Sequence, residues 1–221
     1  MRLACSLFVG VAVAALASAT ALVPSQAWAQ QKVLRFGHLH SVDSPVHKGI
    51  AKAAEEVEKQ TQGRYKINIF PSSQLGQARE MVQQVVDGNL DFVSEGPGSL
   101  SALHRPLSVF EAPFIARDWD HLLKMLESDY AKEQLRTMET QRNMAHIGTF
   151  YYGVRHFTTK TKALNVAADA KGLKIRVPEA PLFLAMIRAL EATPTPMSLG
   201  EVYLSLQTGV ASSARIIARN S

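Results

Sequence analysis

The amino-acid sequence predicts an α/β fold on three observations. Short apolar-rich segments alternate with longer amphipathic ones, in the order β-α-β-α-β between Val33 and Ser94. Gly, Pro or Asn-rich turns close most of these segments. The composition is that of an ordinary globular protein, with 221 residues, 47% hydrophobic and 19% charged, enough for one large domain or two small lobes. The net charge of +5 is spread along the chain and makes no clustered Lys/Arg footprint for nucleic acid.

The chain opens with Met1-Arg2, an almost wholly apolar run from Leu3 to Ala17, a break at Pro24 and the small-residue site Ala27-Trp28-Ala29. Residues 1–29 therefore read as a secretory signal peptide cleaved before Gln30. A membrane anchor fits less well, because the apolar run is short and a cleavage site follows it. Cys5, the one cysteine, would leave with the signal, so the mature chain would hold no disulfide and no reactive thiol. Export without cysteine suits a bacterial periplasm.

Val33–His38 reads as the first strand, and a helix follows it. Asp43 or Ser44 can cap that helix, Pro45 suits its first turn, and Val46, Ile50, Ala53, Ala54 and Val57 recur at helical spacing. Tyr65–Phe70 alternates as a strand. A second helix begins near Gly76 with Met81, Val82, Val85 and Val86 on one face, and Leu90–Ser94 is a short strand. Gly96-Pro97-Gly98-Ser99 reads as a flexible turn at that strand's carboxyl end, where open α/β sheets bind ligands. Asp118–Gln141 predicts two helices broken near Ser128-Asp129, and Ala145–Tyr152 an aromatic-rich strand. Lys174–Val177 is a strand stopped by Pro178, and Glu179–Leu190 a helix. Thr193–Pro196 is a rigid extended link, and Ser198–Leu206 a helix with Ser198 and Glu201 at capping-box spacing.

Enzyme motifs are absent: there is no GxSxG elbow, no HExxH and no Walker loop. His38, His40 and His47 lack a companion carboxylate at ligand spacing apart from Asp43, so neither a metal nor a cofactor is expected. Two arginines are of interest. Arg176 sits between Ile175 and Val177, and Arg155 lies in Tyr-Gly-Val-Arg-His-Phe. Converging on one cleft, their planar forks would suit a carboxylate. Spacing alone favours the plainer reading, in which each is an ordinary solvent-facing strand arginine.

Six stretches in order carry a resemblance: LRFGHLHSVDSPVHKG from Leu34, INIFPSSQLGQAREM from Ile67, DGNLDF from Asp87, GVRHFTT from Gly153, KGLKIRVPEAP from Lys171 and ATPTPMSLGEVYLSLQTGV from Ala192. Together they resemble the extracytoplasmic solute receptors of tripartite ATP-independent periplasmic (TRAP) transporters, the dicarboxylate-receptor type. The resemblance implies a two-lobed periplasmic-binding-protein-like α/β fold with central mixed sheets, in which residues 30–152 form lobe I and 153–210 begin lobe II. It implies a non-catalytic receptor that captures a small organic carboxylate and hands it to a TRAP membrane permease, with no cofactor. It assigns Arg176 the main salt bridge to the ligand carboxylate and Arg155 a second polar contact. From the other lobe come Glu95 and Gly96, and the loop carrying His38 and Leu39; Leu199 falls where a side chain meets the ligand. The competing reading is a periplasmic α/β enzyme acting on an anionic small molecule.

The sequence departs from the family after Val210. Family members continue with a segment resembling V-D-G-Q-E-N-P, whereas residues 211–221 read ASSARIIARNS. This tail is expected to be aberrant, as from a frameshift, leaving the second lobe and its return strand incomplete and the product poorly stable.

Overall fold

The computed structural model describes residues 30–159 and 163–217, so the expected signal peptide lies outside the described residues. Among these residues no helix is long and apolar enough to cross a membrane. The first sheet is parallel, with β1 (Lys32–His38) between β2 (Tyr65–Phe70) and β3 (Phe92–Ser94). Phe36 stands opposite both Ile69 and Phe92. Two crossover helices make the parallel pairing possible. In α1 (Pro45–Gln60), the Ser44 hydroxyl accepts from the His47 amide at 3.1 Å and Pro45 takes the first turn. Val46, Ile50 and Ala54, each four residues from the last, form its buried stripe. In α2 (Ala78–Val86), the Glu80 carboxylate accepts from the Gln77 amide at 2.8 Å, and Met81 and Val82 are buried.

Glycine is required where β1 passes under α2: a Cβ on Gly37 would stand 2.7 Å from the Met81 sulfur. Beyond β3 come α3 (Pro97–Leu100), a 3-10 segment (Arg105–Glu111), α4 (Trp119–Leu126) and α5 (Asp129–Arg142). Val82, Leu107, Phe110, Ala131, Met138 and Met144 meet in the core that these elements share with α2.

The second sheet has the order β4-β7-β5-β6, built from β4 (Arg155–Thr159), β5 (Lys174–Val177), β6 (Thr193–Pro196) and β7 (Ser213–Ile217). It is mixed, since β7 runs parallel to β5 and antiparallel to β4. Helix α6 (Pro181–Ala189) crosses between β5 and β6, and α7 (Val202–Thr208) leads into β7. Ile175, Val177, Phe183 and Ile187 centre the second core.

Several elements differ from expectation. Ala145–Tyr152 forms no strand; Phe150, Tyr151 and Tyr152 are exposed, and the pairing begins at Arg155. Aromatic content favours a strand only where a neighbouring strand offers a ladder. The Gly96–Ser99 turn is one helical turn, α3, with Pro97 at its start. Thr193–Pro196 is a strand rather than a link, paired parallel with β5 along the sheet edge, the place where proline is tolerated. Glu201 does bond the Ser198 amide and hydroxyl, but the regular helix starts later, at Val202. The tail from Ala211, set apart in the sequence as unlike the family, supplies β7 between β4 and β5, with Ser213 and Ala214 wholly buried.

At the end of β1, His38 is 0% exposed. Its Nδ1 accepts from the His40 amide at 3.1 Å, which places the ring proton on Nε2, and that N–H donates to His47 Nδ1 at 3.0 Å. Burial, reinforced by His40 and His47, lowers the His38 pKa to about 4. The unfolded chain takes up this proton near 6.5 and the folded chain only near 4, so stability is full above pH 6.5 and falls as pH drops between these values. The expected loss is about 3 kcal/mol at pH 4. Denaturant titrations at pH 7 and pH 5 should show a clear fall, reduced in His38→Gln; a pH-independent wild type would contradict it. Met81→Ala should lower the unfolding free energy by about 2–5 kcal/mol in the same assay, and a loss below about 1 kcal/mol would mean that the β1–α2 contact is loose.

Candidate ligand-binding site

Arg176 lies in a strand buried after its exposed first residue, Lys174, between Ile175 and Val177 at 0% exposure, and is itself only 4% exposed. By strand alternation its side chain leaves on the face opposite these two. Its register partners are Thr195 on β6 and Ala214 on β7. The guanidinium Nε and Nη2 donate to the Met197 carbonyl at 3.1 and 2.8 Å. That grip fixes one edge of the plane and leaves three of five N–H donors, around Nη1 and Nη2, for another acceptor. Burial first, then the charge of Arg155, lowers the Arg176 pKa to about 10, with Glu201 opposing. Arg176 is therefore still a cation at neutral pH. Strand spacing alone allowed a solvent-facing arginine; the structure shows a buried one.

Arg155 opens β4. Its Nη2 donates to Glu111 Oε1 in an ion pair whose side chains are 23% and 17% exposed. Its guanidinium also lies 5.1 Å from the centre of the Phe183 ring. Glu111, at the end of the 3-10 segment, accepts from the Gly98 amide through Oε2 at 2.6 Å. A Cβ on Gly98 would sit 2.5 Å from that oxygen and 3.4 Å from Ala180, so only glycine admits this approach. Sequence reasoning did not single out Glu111. The available signal was an acid flanked by apolar residues in Val109-Phe110-Glu111-Ala112-Pro113. A void of about 10 Å³, room for one water, adjoins Glu111, Gly98 and Phe183.

Glu95 belongs to the same group. Its Oε1 is buried and has no hydrogen-bond partner among the described residues. Burial raises its pKa to about 7, and Glu111 adds to the rise; Ser99, the Gly96 amide and Arg155 pull the other way. Gly96 is the N-terminal cap of α3, and a Cβ there would also approach Glu111, at 3.2 Å. The structure thus joins Arg155, Glu95 and Gly96 through Glu111, and brings the charge of Arg155 within reach of Arg176.

The β1 end is placed differently. The ring of His38 is enclosed and both its nitrogens are engaged within the protein. The His38 and His40 carbonyls accept from the Ser73 and Ser72 amides at 3.2 and 2.9 Å, which ties down the loop carrying half-buried Leu39. His40 Nδ1 is 3.0 Å from the Tyr152 hydroxyl. Leu199 is 38% exposed, two residues beyond the Met197 carbonyl that holds Arg176. Among the described residues no group of three or more His, Cys, Asp or Glu side chains is placed to hold a metal ion.

Residues 36–214 match the family model of bacterial extracellular solute-binding proteins, family 7. The chain is 38% identical over 175 residues to the sialic acid-binding periplasmic protein SiaP of Vibrio cholerae, covering 79% of this chain and 54% of the relative. It is similar to the structure of a TRAP periplasmic solute-binding protein from Polaromonas bound to D-erythronate, with TM-score 0.79, 31% identity, and coverage of 84% of this chain and 61% of that one. A TRAP periplasmic solute-binding protein from Sulfitobacter with bound β-D-galacturonate gives TM-score 0.80 at 28% identity, covering 83% and 61%. The chain thus spans less than two thirds of the length of each. With the six ordered sequence stretches, the mixed sheet and the buried arginine of β5 all in place, the chain belongs to the bacterial extracellular solute-binding proteins of family 7.

Proposed function

We propose that this chain is an extracytoplasmic receptor of a TRAP transporter, which captures a small organic carboxylate and presents it to the membrane permease. The observation that carries this reading is Arg176: a buried, charged guanidinium held along one edge by the Met197 carbonyl, with no partner on its other edge among the described residues. A carboxylate leaving water needs strong compensation, and two parallel N–H donors of an already desolvated cation supply it. The relatives support the reading, since the family comprises solute-binding receptors and the related proteins are periplasmic binding proteins. Arg155, Glu95, Gly96, the His38–Leu39 loop and Leu199 complete the ligand shell. The chain acts without catalysis. It reaches the periplasm by cleavage of residues 1–29, its lobes divide near Tyr152, and the ligand selects their closed arrangement.

Isothermal titration calorimetry over a panel of organic acids tests this. Arg176→Ala should weaken the best ligand by more than about a hundredfold, because it removes one partner of a buried charge pair. Arg176→Lys should recover only part of that loss, since it keeps the charge but not the fork. Equal affinity in wild type and Arg176→Ala would overturn the assignment.

A further inference from the structure

We propose that the site selects a hydroxylated monocarboxylate over a dicarboxylate, because Glu111 already occupies the second arginine. This rests on the receptor reading above and narrows its ligand class. The charges around the site account for this preference. Arg176 is held by a neutral carbonyl, feels Glu201 only at a distance, and makes no ion pair among the described residues, so its donors are left for a ligand anion. Arg155 is already paired with Glu111, whose other oxygen is fastened to the Gly98 amide. Glu111 thus acts as an internal carboxylate in the place that a second ligand carboxylate would need.

Displacing it would leave Glu111 part-buried with only the Gly98 amide, next to a second carboxyl group, Glu95. Such an unpaired buried charge is strongly unfavourable. A hydroxyl meets no such obstacle. It can accept from a remaining Arg155 N–H and, once the cleft side chains adjust around it, donate to the buried Oε1 of Glu95, which has no partner among the described residues. The groups facing Glu95 are Ser99, the Gly96 amide, Glu111 and Arg155, and two of these carry opposite charges that largely cancel. Burial holds Glu95 partly protonated near neutral pH, so it can also donate to a ligand oxygen. Among the described residues, a cation with no ion-pair partner, Arg176, and a set of donors and acceptors match a ligand with one carboxylate and several hydroxyls.

The test is calorimetry on the purified chain at pH 7.5 with two sets of probes: D-gluconate, D-galacturonate and D-glycerate against succinate, L-malate and 2-oxoglutarate. The best hydroxy monocarboxylate should bind at least about tenfold more tightly than the best dicarboxylate. Glu111→Gln, which keeps an acceptor for Arg155 but removes the charge, should shrink that ratio by strengthening dicarboxylate binding. A dicarboxylate binding as tightly as the monocarboxylates overturns the selectivity and leaves the receptor reading standing. So does an unchanged ratio in Glu111→Gln with an unaltered melting temperature. If Glu111→Gln does not fold, the wild-type ratio alone decides. Binding by no acid of either set overturns the receptor reading, and the selectivity with it.

Discussion

A guanidinium buried in the strand β5 is the constraint around which the rest of the second sheet is arranged. Arg176 is only 4% exposed, so most of its hydration is lost and its donors call for other partners. The protein meets part of the demand with one carbonyl, that of Met197, just past the end of β6. β6 therefore has to run alongside β5 and stop in register with it, and the pairing of Val177 with Pro196 does this. Pro194 and Pro196 give up two amides that an edge strand would otherwise leave pointing into solvent, which also protects the edge from pairing with another chain.

The second arginine answers the same problem differently. Arg155 is paired with an acid from a distant segment, 44 residues earlier, and rests against Phe183. Because Glu111 also holds the Gly98 amide, three separate stretches of chain share one carboxylate. The electrostatic consequence is an asymmetry between two residues of the same type. One is an open cation and the other a neutralised, oriented set of donors. Treating the two as interchangeable anion ligands would miss this difference.

How much of this was legible in the sequence follows from the range of the forces involved. Local patterns exposed β1, α1, β2 and α2, since periodicity, Ser44 and Pro45 act within a few residues. The break between α4 and α5 was visible for the same reason, with Ser128 capping α5 through the Ala131 amide at 3.2 Å. Strand β6 was hidden because two prolines argue against a strand until an edge position is known. The strand expected over Ala145–Tyr152 failed because pairing is non-local, and the ladder there begins with Arg155 and β7. Arg176 and Arg155 stood out by their strand setting and took their ligand roles from family resemblance, whereas Glu111 was missed, since its role depends on Gly98 and Arg155, neither of them near it in sequence.

Strand β7 carries the last step. It is hydrogen-bonded on one side to β5, with Ala214 opposite Arg176, and on the other to β4, with Ile217 opposite Arg155. The positions that set the two arginines are three residues apart on this one strand, about 10 Å along its axis. Their spacing is therefore governed by β7 rather than by either arginine's own strand. Ser213 and Ala214 have small side chains and are fully buried there, which lets β4 and β5 both close on the strand from either side. A bulkier residue at Ala214 would press on the sheet where Arg176 must stay in reach of Met197. The separation of the two charged centres is thus encoded in the register of a third strand that pairs with both of theirs.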